Sequence, residues 1–295
     1  MKDLLVIVNP AAGRGRAARK WPQVRAHLRE AGVAFEEIFT SRVLEAIEIA
    51  EREASNYRRI VAAGGDGTVH EVVNGLMRAG RGPVFGVIPL GSGDDFAKLL
   101  APGQAVEGNF LEAKTRKFDV GRISVGSSVR YFANGMDIGF GAHGARNVRR
   151  VPRILTGFGA YLGALALTLL RYPLLEVRIR IDDESSRPLS TAMSAAMNGT
   201  TFGGSFRVCP QADPCDGLLD LLLVGPVGRL EILGLVPKIL KGTHAGDPRL
   251  ELRRARRLTI ESEQPLLVEA DGEIAFESAR RLEIDHLPGA QRVLG

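Results

Sequence analysis

The residues best suited to chemistry lie in Val61 to Gly75, VAAGGDGTVHEVVNG. The apolar run Ile60 to Ala63 reads as a buried strand, and Gly64, Gly65 and Gly67 then permit a tight turn. Thr68 opens a segment with Val69, Val72, Val73 and Leu76 at helical spacing. A strand, a glycine turn and a helix N-terminus together suit a polyphosphate. Glycines let backbone N–H groups approach the oxygens, and the first helical turn presents unpaired donors and partial positive charge. Asp66 would repel bare phosphate, and its presence makes sense if a divalent cation lies between the two. A plain strand-to-helix turn of an α/β protein stays open beside this reading.

Such a turn needs a sheet to hold it, and the first 120 or so residues supply alternating elements. Strands are expected at Leu4 to Val8, Phe35 to Phe39, Ile60 to Ala63 and Val84 to Ile88. Helices are expected around Trp21 to Ala31, with Pro22 near the start, around Val43 to Ala54, and briefly at Phe96 to Leu100. Alternation of this kind implies parallel pairing in a doubly wound sheet, whose ligands sit beyond the carboxyl ends of the strands. Three strand-end loops should therefore meet: Asn9 to Gly15 (NPAAGRG), Gly64 to Thr68 (GGDGT) and Pro89 to Ala97 (PLGSGDDFA). Gly13, Gly15 and Ala18 also match a loose dinucleotide-binding fingerprint, which leaves Asp66 and Asp94-Asp95 unexplained.

From about Ile123 the pattern turns to short strand-like runs. They are Val129 to Ala133, Glu176 to Asp182, Thr191 to Met197, Leu219 to Val224, Arg257 to Glu261, Leu266 to Ala270 and Arg281 to Asp285. Helical segments interrupt them near Tyr161 to Leu170 and at Arg229 to Leu240. The expected architecture is an α/β doubly wound N-terminal domain, 1–122, followed by a mainly antiparallel β-sandwich domain, 123–287. The tail 288–295 is expected to pack back on the first domain.

The 295 residues, 45% hydrophobic and 25% charged, are those of a globular protein with room for two cores. Cys209 and Cys215 form neither a metal-ligand pattern nor a disulfide framework and read as reduced thiols. MKDLLVIVNP carries no signal-peptide pattern, and the apolar stretch Phe158 to Leu170 is shorter than a spanning helix. A soluble, cytoplasmic protein is expected. The formal charge is +5, with arginines grouped at 146, 149, 150 and 153 and at 253, 254, 256 and 257. Such groups suit anionic headgroups or simply a solvated face. Aromatic residues make up only 6% of the chain, which supports little base stacking, so nucleic acid is not expected as a partner.

These loops and the residues that follow resemble the diacylglycerol kinase catalytic-domain family of lipid kinases, most closely its small soluble bacterial members. The matching pieces are Asn9-Pro10 with Gly13, Gly64 to Thr68, Pro89 to Ala97, Asp119 in FDVG, Gly203-Gly204, Asp216-Gly217 and Asp271-Gly272-Glu273. They follow the family's order over nearly the whole chain. GGDGT alone is also similar to a motif of NAD kinases and phosphofructokinases.

The resemblance implies a phosphofructokinase-like or NAD kinase-like first domain holding ATP, and a β-sandwich offering a lipid to the cleft between the domains. It places Asn9, Gly13, Thr40, Gly64, Gly65, Asp66, Gly67, Thr68, Glu71, Ser92 and Asp95 at the nucleotide. It makes Glu273 the general base for the lipid hydroxyl, with Asp271 assisting the metal or the base. Asp66, Asp95 and Asp119 would hold the catalytic Mg²⁺, and Asp213, Asp216 and Leu218 match a second, structural Mg²⁺ position in relatives. Asp271-Gly272 between apolar runs is also a hairpin turn signal. Asp94 stands where the family commonly has Asn, and a carboxylate cannot donate as an amide does.

The expected activity is ATP-dependent, Mg²⁺-dependent phosphorylation of a diacylglycerol-like or sphingoid lipid. The enzyme would act as a peripheral protein at the inner face of the membrane, touching it transiently, and a homodimer is allowed for. An NAD kinase-like enzyme and a catalytically impaired nucleotide- or lipid-binding regulator are the competing readings.

Overall fold

The computed structural model describes residues 1–80, 82–100, 114–148, 158–171 and 174–294. The chain divides into two compact units, Met1–Asp119 with Gly289–Gly295, and Val120–Pro288.

The first unit is built on β1 (Lys2–Val8), α1 (Ala12–Glu30), β2 (Glu36–Phe39), α2 (Glu45–Glu53), β3 (Tyr57–Gly64), α3 (Asp66–Arg78) and β4 (Val84–Pro89). β1 lies between β2 and β3, β4 flanks β3, and every pairing is parallel. Leu5, Val6, Ile7, Ile60, Val61 and Ala62 are fully buried, as central strands covered on both faces must be. Each large aliphatic side chain so buried contributes about 1.5–3 kcal/mol. One layer of the core joins Leu4, Val6 and Val8 to Ala17, Trp21 and Leu28 of α1.

Within α1, Gly13, Arg14 and Gly15 have φ of 59°, 57° and 82°, so regular helix starts after them. Pro22 accordingly sits inside the helix rather than near its start. After β4 a short 3-10 helix, Phe96–Leu99, seats Phe96 between the rings of Phe85 and Phe118. At the far end of the chain, Val293 pairs in parallel with Phe85, and the Gln291 amide donates to the Pro83 carbonyl at 3.0 Å.

The chain leaves the first unit along β5 (Thr115–Val125). The second unit then contains β6 (Ser128–Phe132), β7 (Gly135–Gly139), α4 (Phe140–Val148), α5 (Phe158–Arg171), β8 (Leu175–Ile181), β9 (Arg187–Thr191) and β10 (Met193–Met197). It continues through β11 (Leu219–Val224), α6 (Arg229–Lys241), β12 (Leu250–Ala255), β13 (Arg257–Ala270) and β14 (Glu273–Leu294). Pairing among its strands is antiparallel.

β13 serves two layers: Leu258 to Glu261 pair with β8, and Val268 to Ala270 pair with β7. The two runs expected on either side of Pro265 are thus one strand bent at a register shift, because proline has no N–H to give the ladder. Ile179 and Ile181 of β8, Leu221 of β11, Leu258 and Ile260 of β13 and Leu282 and Ile284 of β14 share one apolar core. The result is a mainly antiparallel sandwich.

The short strands β7, β9 and β12 and the helix α4 were not legible as separate elements. In β7 (GMDIG) and α4 (FGAHGARNV) glycines and small polar residues blur the apolar period. Arg149, Arg150 and Arg153 lie outside the described residues, as do the side chains of Phe158 and Tyr161.

Candidate nucleotide and acceptor sites

In the first unit the three strand-end loops meet. Asn9, just past β1, donates its amide N–H to the Thr68 hydroxyl at 3.1 Å and accepts the Ala11 N–H at 3.0 Å. The Gly64 carbonyl accepts the Leu90 N–H at 2.7 Å. Gly65 and Gly91 touch backbone to backbone: a Cβ on Gly65 would lie 2.9 Å from Gly91 Cα, and one on Gly91 would overlap Gly65. Gly13, left-handed at φ 59°, has no room for a side chain either, since a Cβ would lie 2.8 Å from the Leu90 carbonyl oxygen. Glycine at 13, 65 and 91 is therefore a packing requirement of the junction.

Gly65 precedes α3, so Asp66 and Gly67 fall in the helix's first turn, where N–H groups and the helix dipole favour an anion. Thr68 is buried, bonded to Asn9 and closing the turn, with its N–H on the Gly65 carbonyl at 2.9 Å. Ser92 is exposed on the third loop. Thr40 follows β2, buried, with its N–H donated to Val8 at 2.9 Å. Glu71 accepts the Leu44 and Ala46 N–H groups, both at 3.1 Å, so its carboxylate caps the N-terminus of α2.

Three carboxyls gather beside this junction. Asp66 accepts the Phe96 N–H at 3.2 Å, Asp94 accepts the Gly91 N–H at 2.9 Å, and buried Asp95 pairs with Lys98 at 2.7 Å. Withdrawal from water, helped by the charge of Asp95, raises the Asp66 carboxyl to about 7. Burial also raises Asp94, against the pull of the Gly91 N–H and Arg16. Asp94 has φ 51°, a conformation that Asp and Asn tolerate best among non-glycine residues. Its role in this loop is to accept from Gly91, which a carboxylate does as well as an amide oxygen.

Asp119 lies inside β5 rather than at a strand end, and its buried carboxylate accepts the Gly289 N–H at 2.6 Å. No group of three or more His, Cys, Asp or Glu side chains is arranged to hold a metal among the described residues. The oxygen donors of Asp66 and Asp95 nonetheless fit Mg²⁺, which is usually held by one or two carboxylates together with phosphate oxygens and water. The negative charge of Asp95, which adds to burial in raising Asp66, is one that a cation between the two would offset.

In the second unit, Asp271 and Gly272 form the two-residue turn between β13 and β14, with φ of 51° and 91° and Ala270 opposite Glu273. Two successive positive φ values are those of a hairpin turn whose twist matches the strands. The carboxylate of Asp271 is largely engaged by backbone. Its oxygens accept the N–H groups of Ala133 at 2.9 Å, Asn134 at 2.8 Å and Gly135 at 3.0 Å. It anchors the turn, and Glu273, partly exposed, starts β14 beside it. Asn134 and Asn198 extend the anchor: Asn198 donates to the Ala133 carbonyl at 2.9 Å and Asn134 to Thr201 at 2.7 Å.

Beneath the turn lie Asp137 and Glu269, which sequence reasoning passed over. Their signal was a carboxyl inside an apolar run, MDI and LVEA. Burial pushes both carboxyls up from the ordinary range; Asp137 raises Glu269 further, while the hydrogen bonds from Glu269 and the Ala142 N–H hold Asp137 back.

Asp213 and Asp216 accept the N–H groups of Cys215 and Leu218, each at 3.0 Å, as local turns do. Asp216 is also ion-paired with Arg254, whose Nε lies 3.7 Å from Asp220. Arg254 does not neutralise the whole group, since burial and then the charge of Asp213 raise the Asp220 carboxyl to about 6. The arginine group at 253–257 is largely spent in ion pairs: Arg253 pairs with Glu184 and Glu251, and Arg257 with Asp285.

The diacylglycerol kinase catalytic domain matches residues 3–123, and the YegS C-terminal NAD kinase beta sandwich-like domain matches residues 129–295. A Chromohalobacter salexigens protein named "Probable lipid kinase YegS-like" is 34% identical over 280 residues, covering 91% of this chain and 87% of its own. The diacylglycerol kinase of Bacillus subtilis is 27% identical, covering 92% of this chain and 90% of its own. A crystal structure of a diacylglycerol kinase from Bacillus anthracis superposes with a TM-score of 0.73 at 21% identity, covering 99% of this chain and 96% of that one. The resemblance read from the loops thus holds along the whole length, and the chain belongs to the diacylglycerol kinase-like family of lipid kinases.

Proposed function

We propose that the protein transfers the γ-phosphoryl group of ATP to a hydroxyl of a neutral lipid, diacylglycerol-like or sphingoid. The observation that carries this reading is the junction of Asn9, Gly13, Gly65, Thr68 and Gly91, which leaves backbone and the first turn of α3 at the meeting point of three loops. Glycines at those contacts let triphosphate oxygens approach N–H donors that a side chain would screen. Ser92 and Gly67 offer further donors beside them. Glu71 acts one step removed, by holding α2 against α3.

Mg²⁺ held through Asp66 and Asp95 would neutralise charge on the transferring phosphoryl group. Glu273 accepts the acceptor hydroxyl's proton as the new P–O bond forms, and the anchored Asp271 keeps the turn that presents it. The acceptor is a bilayer lipid, so the protein must meet a membrane transiently. Leu230 and Leu233 of α6, 82% and 49% exposed, offer apolar contact for that encounter. No helix among the described residues is long and apolar enough to cross a membrane.

The NAD kinase-like description of the sandwich supports a second reading, phosphorylation of a dinucleotide. Incubating purified protein with ATP and Mg²⁺, beside a lipid panel and beside NAD, separates the two by mass spectrometry of the products. A phosphorylated lipid supports the first reading, and phosphorylated NAD alone replaces it with the second.

A further inference from the structure

Asp137 of β7 and Glu269 of β13 are direct partners across the antiparallel register. Asp137 is 1% exposed and Glu269 is fully buried. One oxygen of each is tied to a neighbouring turn. Asp137 Oδ1 accepts the Ala142 N–H at 2.6 Å in the first turn of α4, and Glu269 Oε1 accepts the Gly272 N–H. The other oxygens, Asp137 Oδ2 and Glu269 Oε2, are buried with no donor from another residue among those described. Gly141 closes the pocket over Asp137, since a Cβ there would overlap Oδ2.

Two carboxylates in this position cannot both carry charge without a counterion, and two orphaned acceptors cost more than one satisfied bond. A single proton between them resolves both problems, because one carboxyl then donates to the other.

The bond to Gly272 is what connects this pair to the reaction. Asp271 holds one side of the turn through residues 133 to 135, and Glu269 holds the other through the Gly272 N–H. Among the described residues none lies within 4 Å of where a Cβ on Gly272 would stand. The plane of the peptide between Asp271 and Gly272, and with it the direction in which Glu273 leaves the turn, is therefore fixed from within. We propose that Glu269, braced by Asp137, is a positioning residue for Glu273. The inference rests on the assignment of Glu273 as general base.

The test compares Glu269→Gln and Glu269→Leu with the wild-type protein. Gln keeps an oxygen for the Gly272 N–H and offers an N–H to Asp137, so it reproduces the protonated form; Leu keeps the volume and loses both bonds. The Leu variant should lose about tenfold in kcat with the KM for ATP changed less than about twofold, while Gln stays within about threefold of wild type. Amide hydrogen exchange at Gly272 should speed up in Leu and remain slow in Gln.

A Gln variant that falls as far as Leu, or a Leu variant that keeps both kcat and slow exchange, overturns the inference. If Leu does not fold, Gln decides alone: retained kcat supports positioning, and a loss beyond about tenfold contradicts it. If the wild type phosphorylates no lipid, the assignment of function fails, and exchange at Gly272 still reports whether Glu269 holds the turn.

Discussion

The Asn9 side-chain amide reaches the Thr68 hydroxyl at 3.1 Å, joining the loop after β1 to the first turn of α3 across 59 residues of sequence. The bond uses one of the two Asn9 amide hydrogens and one lone pair of the Thr68 hydroxyl. It holds two loops at a fixed spacing, so that N–H donors on each converge. Thr68→Val should cost about 1 kcal/mol of stability and weaken ATP binding, as should Asn9→Ala. In a double-mutant cycle the two should couple by about 0.5–1.5 kcal/mol, measured from melting and from ATP titration. Additive losses would show that the bond does not set the loop spacing.

Glu71 tests the difference between contact and support. Its carboxylate accepts two N–H groups at the N-terminus of α2, where Leu44 is left-handed at φ 65° and provides no cap of its own. Glu71→Ala should destabilise the protein by about 1–2 kcal/mol, seen in denaturant titration. ATP affinity in the variant that remains folded should change less than threefold, on the order of 0.6 kcal/mol. A variant of unchanged stability that binds ATP poorly would move Glu71 into contact with the nucleotide.

Asp66 makes stability depend on pH in a direction opposite to that of a paired carboxylate. Its carboxyl titrates near 7 in the folded chain against an ordinary 3.8. Between those values the folded chain holds a proton that the unfolded chain has released, so stability falls as pH rises from about 4 to about 7 and stays low above. Asp66→Asn keeps an acceptor for the Phe96 N–H and removes the titration. With EDTA present, the melting temperature of the variant relative to wild type should rise by a few degrees from pH 5 to pH 8. A constant difference across that range would contradict the burial of the Asp66 charge.

The two thiols should react very differently. Cys209 is buried, its Sγ 3.6 Å from the Asp220 carbonyl, and burial drives its thiol far up from the ordinary range, whereas Cys215 is exposed. Iodoacetamide at pH 8 should alkylate Cys215 within minutes and leave Cys209 intact until the chain is unfolded, as peptide mass mapping would show. Early labelling of Cys209 would mean that β11 and its neighbours open readily.

The parallel half was legible because β1, β3 and β4 carry short apolar runs, and the loops after them hold the glycines that meet at the junction. Glu71 and Asp271 were legible as positions but not as roles. Each looked like a ligand-facing acid, and each spends its oxygens on backbone N–H groups brought near by tertiary structure. Asp137 and Glu269 were hidden for a related reason. Only the register of β7 against β13 sets them opposite one another, and register between strands 132 residues apart leaves no local trace. The runs Arg257 to Glu261 and Leu266 to Ala270 read as two strands, and β13 joins them across a register shift.

The central claim is that phosphoryl transfer to lipid depends on Glu273 as the base while the nucleotide is held elsewhere. It is tested most directly by Glu273→Gln with radiolabelled ATP, Mg²⁺ and mixed micelles of diacylglycerol, reading label in the organic phase alongside ATP affinity. The account predicts that label falls by about a hundredfold or more while ATP binds within about twofold of wild type. Label in the organic phase equal to that of the wild-type protein would contradict it.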